Sequence, residues 1–291
     1  MVTKEGELIP IDAPPPYAST PLRTPSKPTP PARRPPFPIE IPTIQRLQTQ
    51  RVILASASPR RKTLLASLGL TNLEVIPSTF PEDIPKANLS PYEYVSQTAE
   101  AKARAVYERA LNDPRRGDPA LLIAADTVVV SAEGVLLEKP RSEEEHLRML
   151  RRLRGVMPAA GAEGLEGLVP HRVYTAVCVM APNESARAPG YRIENVVEET
   201  KVFFDPAVGD EMLGAYVRTR EGVDKAGGYG IQGVGMVWVK GIEGSWDNVV
   251  GLPLRTTLGL IEKVLDQGRD GDLLDAEIVD LEGEGEEEED D

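Results

Sequence analysis

The run from Leu121 to Val130, LLIAADTVVV, limits the architecture more than any other stretch of the chain. Ten residues that are almost all apolar and end in valines predict a strand buried on both faces, which is the habit of strands in α/β proteins. Asp126 interrupts the run. A carboxylate among Leu122–Ala125 and Val128–Val130 has to be paired, hydrogen-bonded or neutralised. Two roles are open to it: metal ligand or general base toward water beside bound phosphates, or a cap on a neighbouring loop.

The segments around this strand alternate in type. Arg51–Ala57 reads as a short apolar strand, and Ser58-Pro59 as a helix start, with serine as cap and proline at the first helical position, leading to Gly69. Ser90-Pro-Tyr-Glu93 has capping-box spacing and opens a helix through Val95, Ala99 and Val106. A turn at Ser131–Gly134 leads into Val135–Leu137, and Ser142 with Glu145 caps a helix that ends at Gly155. Val173–Met180 and Tyr191–Phe204 predict strands, Pro206–Arg218 a helix, Val234–Lys240 a strand and Pro253–Leu265 a closing helix. The expected class is α/β, a two-lobed mixed sheet flanked by helices.

Outside residues 50–265 the composition changes. Residues 1–48 hold 13 of the 27 prolines and predict a disordered extension. From Asp266 to Asp291 fourteen acidic residues face one basic residue, Arg269, so a disordered acidic tail (266–291) carries the whole formal charge of −13. The remainder is balanced, so the low pI reports the tail and not the working surface; no nucleic-acid partner is expected. Residues 156–170, rich in glycine, alanine and proline, read as an inserted loop. One cysteine, Cys178, excludes an intrachain disulfide, and two histidines cannot complete an ordinary zinc site. With no apolar run near the ~18 residues of a membrane span, a soluble, cytoplasmic protein without a membrane partner is expected. Cys178 reads as a packing residue, His171 as a structural hydrogen-bonding group and His146 as solvated.

Several segments carry candidate chemistry. Ser56-Ala-Ser58-Pro-Arg60-Arg61, between strand and helix, combines free N–H groups with two guanidinium groups and suits phosphate; a capped helix with two exposed arginines is the plainer alternative. Glu82, Lys102, Lys139 and Lys225 stand at element edges, where acids could share a metal and lysines neutralise a triphosphate, although spacing cannot bring them together. Gly228-Tyr-Gly-Ile-Gln-Gly233 matches GxGxxG, yet a loop precedes it and valine-rich sequence follows, which is the wrong context for a dinucleotide site. Its glycines would instead let backbone approach a ligand, with Gln232 offering an amide to a base edge.

In order, Ala55–Arg61, Ala125-Asp126-Thr127, Glu138-Lys139-Pro140, Asp224–Gly233 and Val250-Gly-Leu-Pro253 resemble the Maf family of nucleoside triphosphate pyrophosphatases over residues 50–265. The resemblance implies a fold similar to inosine triphosphate pyrophosphatases and hydrolysis of a nucleoside triphosphate to monophosphate and pyrophosphate with a divalent cation, Mg2+ or Mn2+. It also implies Asp126 as proton acceptor, with Arg60, Thr127 and Gln232 setting substrate choice. Lys102 and Lys139 would bind phosphate, and Glu82 would join Asp126 as a metal-linked acid. The Gly-Tyr-Gly-Ile-Gln-Gly form is similar to the subgroup acting on dTTP, UTP and modified pyrimidines rather than on 7-methyl-GTP. A homodimer is left open. The chain departs from the family in its proline-rich start, its acidic tail and the stretched link from Gly155 to His171. The alternatives are an idle nucleotide-binding regulator of cell division, against which Asp126, Lys102 and Lys139 speak, and a dinucleotide-dependent oxidoreductase.

Overall fold

The computed structural model describes residues 40–81, 84–85, 88–156, 164–183 and 190–266, all within the compact unit Pro38–Asp291. A mixed sheet of seven strands organises them: β1 (Val52–Leu54), β2 (Leu73–Val75), β3 (Leu121–Val130), β4 (Leu136–Leu137), β5 (His171–Pro182), β6 (Tyr191–Phe204) and β7 (Val239–Glu243). The order is β2-β1-β3-β5-β6-β7, with β4 paired to β3 off this path. Strands β2, β1 and β3 are parallel, and β3 through β7 are antiparallel. The expected class, a mixed α/β sheet flanked by helices, is what forms.

Alternation along β3 divides the core. Leu122, Ala124, Val128 and Val130 pack under α3 (Pro91–Ala110), through Val95, Ala99, Ala103 and Val106. Leu121, Ile123, Ala125 and Val129 face the other cluster, which includes Leu64 and Leu65 of α2 (Pro59–Ser67), Leu150 of α4 (Glu143–Arg154) and Leu213 of α5 (Asp210–Thr219). The caps read from sequence are present. Ser58 accepts from the Arg61 amide, Ser142 from Glu145, and Ser90 with Glu93 makes a full capping box.

Other expectations change. Pro42–Leu47, placed by composition in the proline-rich extension, is a helix, α1, because Ile44 and Leu47 are buried in the core. The earlier part of that extension, residues 1–39, lies outside the described residues, as do 157–163 of the inserted loop and 267–291 of the tail. Only Val52–Leu54 of the expected first strand are strand; the Ala55 amide makes a last bond to Ile123 O, and Ser56 and Ala57 leave the sheet. Pro206 sits in a turn before α5, which starts at Asp210. Val234–Trp238 is a 3-10 turn and not a strand: Val234, Met236 and Val237 are exposed, and side chains rather than a ladder satisfy the backbone there. The helix α6 (Trp246–Val250) precedes a closing helix over 254–266, α7. No helix among the described residues is long and apolar enough to cross a membrane.

Candidate active site

β1 covers β3 only as far as Ile123, and β4 meets it only from Val129. Between them the edge of β3 is open, beyond the carboxyl end of the parallel pair, where open α/β sheets hold ligands. A cleft of about 630 Å³ lies here. Because the edge is free, side chains from both faces of β3 reach it, and Asp126 and Thr127, neighbours that point to opposite faces, both line it.

Asp126 meets the cation that its apolar surroundings required. Lys102 Nζ, from α3, stands 2.8 Å from Asp126 Oδ1, and both side chains are largely buried. The capping box at Ser90 sets the start of α3 and so the position from which Lys102 reaches across. Lys139, after β4, and Lys225 line the same cleft. Glu82 lies outside the described residues.

The two arginines of α2 part company. Arg60 points outward and pairs with Asp224 at 3.2 Å. Arg61 turns inward: Nε donates to the Gly251 carbonyl at 2.9 Å, Nη1 to Ala125 O at 2.8 Å and Ser56 Oγ at 3.0 Å, and Nη2 to Thr127 Oγ1 at 3.0 Å. One guanidinium thus joins β3, the Ser56–Ser58 loop and the turn after α6. Ser56, Ser58, Arg60 and Arg61 all line the cleft, with the amide-rich start of α2.

The rim opposite is the loop from Gly227 to Gly235, which carries Gln232. No strand ladder holds it. The Gly227 amide donates to Glu138 O, the Gly230 amide to Tyr216 Oη at 3.1 Å, the Val234 amide to Glu221 Oε2 at 2.9 Å and the Gly235 amide to Glu221 Oε1 at 3.3 Å. Gly228, with φ of 74°, lies against His146, whose Nε2 bonds its carbonyl; a Cβ there would fall 2.6 Å from the imidazole. His146 is therefore buried, contrary to the solvated position expected from its charged helix. His171 acts as expected, its Nε2 lying 2.8 Å from Tyr229 Oη, and burial drives its pKa down to about 3. Burial also raises the Tyr229 phenol, and burial followed by the charge of Glu221 raises that of Tyr216.

Glu221 and Asp224 are the acids that sequence reasoning did not single out. Burial opposes ionisation of Asp224, but Lys225 at 2.6 Å and Arg60 outweigh it and hold its carboxyl below the usual value. Their spacing to the glycine loop was visible, but nothing in sequence distinguishes a carboxylate that ties backbone amides from one in solvent. Cys178 is buried in β5 and its thiol is pushed up by burial, in keeping with a packing role.

Fold and cleft define an α/β protein whose cleft brings together a largely buried Lys102–Asp126 pair, Lys139, Lys225 and the two arginines of α2. A family model described as Maf-like protein matches residues 51–264, and the chain belongs to that family. It is 42% identical over 241 residues to a dTTP/UTP pyrophosphatase of Schizosaccharomyces pombe, covering 82% of this chain and 94% of that one. A dTTP/UTP pyrophosphatase of Anaeromyxobacter dehalogenans is 42% identical over 213 residues, covering 73% of this chain and 93% of that protein. A human protein named probable bifunctional dTTP/UTP pyrophosphatase/methyltransferase is 40% identical over 214 residues, which is 73% of this chain and 32% of the human one.

Proposed function

We infer that this protein hydrolyses dTTP, UTP and modified pyrimidine analogues to the monophosphate and pyrophosphate. The observation that carries the reading is the Lys102–Asp126 pair inside a cleft shared with Lys139, Lys225 and the α2 terminus. The names of the relatives above supply the substrate class.

In this reading Asp126 accepts the proton of a water that attacks the α-phosphorus, the bond from that phosphorus to the bridging oxygen breaks, and pyrophosphate leaves. Lys102 compensates the charge of Asp126 in the ground state. Lys139, Lys225 and Arg60, with the amides after Ser58, neutralise the phosphates and the charge that grows on the leaving group. Gln232 faces the base edge.

Among the described residues no group of three or more His, Cys, Asp or Glu gathers to cage a metal. The Asp126 carboxylate in the cleft fits Mg2+ or Mn2+ brought by the triphosphate, which needs only one or two protein carboxylates beside phosphate oxygens. Asp126 would be one and Glu82 the other. Such an ion, when bound, neutralises phosphate charge and polarises the reacting phosphoryl group.

The test is pyrophosphate release with Mg2+ or Mn2+ across dTTP, UTP, CTP, dATP, GTP and 7-methyl-GTP, with folded Asp126→Asn as control. Turnover of dTTP and UTP that collapses in the variant is expected. Turnover confined to 7-methyl-GTP would overturn the substrate class, and binding without release from any triphosphate would leave a nucleotide-binding protein.

A further inference from the structure

Thr127 lies on the face of β3 away from Asp126, beside the apolar part of the cleft formed by Ala125, Val173, Ile231 and Val250. Its hydroxyl belongs to a chain of hydrogen bonds whose two ends each run in one sense only. At one end Arg61 Nη2, which can only donate, is 3.0 Å from Thr127 Oγ1. At the other the Asn248 carbonyl, which can only accept, is 2.9 Å from Thr175 Oγ1. Between them the two hydroxyl oxygens are 3.0 Å apart.

Thr175 has a single hydroxyl proton and gives it to Asn248. The proton between the two threonines is therefore that of Thr127, which has none left for a ligand and retains only a lone pair. The relay is braced. Thr175 and Asn248 are fully buried, and Asn248 Nδ2 donates to Val173 O at 3.1 Å and Thr200 Oγ1 at 3.0 Å. Gly251, with φ of 121°, keeps the approach clear, since a Cβ there would come within 3.3 Å of Thr127 Oγ1.

We propose that Thr175 is a positioning residue: by holding the Thr127 proton it makes this point of the cleft an acceptor alone, so that the group selected is the imide N3–H of uracil or thymine. The proposal rests on reading the cleft as a nucleoside triphosphate site. Cytosine presents an unprotonated N3, and two lone pairs would then face each other without a proton between them.

The experiment measures calorimetric binding of the α,β-methylene analogues of UTP, N3-methyl-UTP, 3′-deoxy-UTP and CTP to the wild type, Thr175→Val and Thr175→Ser, with turnover of the matching triphosphates in parallel. The wild type is expected to bind the UTP analogue about tenfold or more tightly than the N3-methyl and cytosine analogues. Thr175→Val frees the Thr127 hydroxyl to turn and donate, so the uracil-to-cytosine ratio falls about tenfold, and Thr175→Ser restores it. An unchanged ratio in folded Thr175→Val overturns the proposal. So does a wild type indifferent to N3-methylation, which decides the matter even if the valine variant does not fold. Loss of preference on removing the 3′-hydroxyl instead would assign the acceptor to the sugar and overturn the nucleobase assignment. Base discrimination in binding without turnover would refute the pyrophosphatase reading and leave this one standing.

Discussion

Floor and rim of the cleft are held by different means. On the floor, Asp126 and Thr127 sit in a strand paired with β5 from Leu122 to Val130, and the Arg61 guanidinium joins that strand to two neighbouring loops. On the rim, Gly227–Gly235 has no ladder at all and is tied by the Glu138 backbone carbonyl and by the side chains of Tyr216, Glu221 and His146. A backbone ladder fixes position through many cooperative bonds, whereas a tied loop depends on a few side chains that substitution removes one at a time. The difference teaches that the ladder-held floor, with Asp126 and Thr127, and the side-chain-tied rim, with Gln232, can be perturbed separately, so loss of Asp126 and loosening of the rim are expected to move different kinetic constants.

The largest expected effect is on the floor. Asp126→Asn should lower kcat by about 10²- to 10⁴-fold with little change in KM, as for loss of a general base. Pyrophosphate release by folded variant measures it, and a rise in KM with kcat intact would move Asp126 from chemistry to binding. Next is the joint between the two regions, where His171 at the start of β5 holds Tyr229 of the rim. Its pKa is about 3 when folded against an ordinary 6.5, so between these values the unfolded chain binds a proton that the folded chain does not. Stability is then complete above pH 6.5 and falls as the pH drops toward 3, by at most about 1.4 kcal/mol per pH unit. Urea unfolding from pH 7 to 4 should show this slope, and His171→Gln, which keeps a polar group but cannot titrate there, should flatten it. An equal slope in the variant would place the acid sensitivity elsewhere.

On the rim itself, Glu221→Ala unties the amides of Val234 and Gly235 and removes a partner of Tyr216. Only part of this network is buried, so about tenfold in KM, equivalent to ~1.4 kcal/mol, is the expected loss, with kcat nearly unchanged. Steady-state kinetics with UTP checks it. If kcat fell as far as in Asp126→Asn, the separation of floor from rim would be broken.

How much of this was legible in sequence follows the same division. β3, its lone carboxylate and the capped helices α2, α3 and α4 could be read because local rules decide them: apolar run, cap residue, helical period. The meeting of Lys102 with Asp126 could not, since the two belong to separate elements and only the packing of α3 on the sheet joins them. The rim misled more. Val234–Lys240 has the valines of a strand, but Glu221 takes the amides that a ladder would have used, and Val239 is where pairing begins. His146 looked solvated on a helix of charges because the glycines that receive it, Gly222 and Gly228, lie more than seventy residues further along. Composition likewise hid α1, where Ile44 and Leu47 bury themselves within proline-rich sequence.

The smallest effect is expected at Arg60, and it is measured against its neighbour Arg61, from which sequence alone could not tell it apart. Arg60 meets Asp224 at 3.2 Å with both groups substantially exposed, and such a pair contributes about 0–1 kcal/mol to stability. Arg61 instead donates to two carbonyls and two hydroxyls in partly buried surroundings. A lysine cannot reproduce that planar fork. Thermal unfolding should therefore show little change for Arg60→Lys and a clear loss for Arg61→Lys, on the order of 1–3 kcal/mol from carbonyls left without donors. Equal loss in both would mean that Arg60 belongs to the framework as well, and the outward guanidinium would have to be counted with the floor.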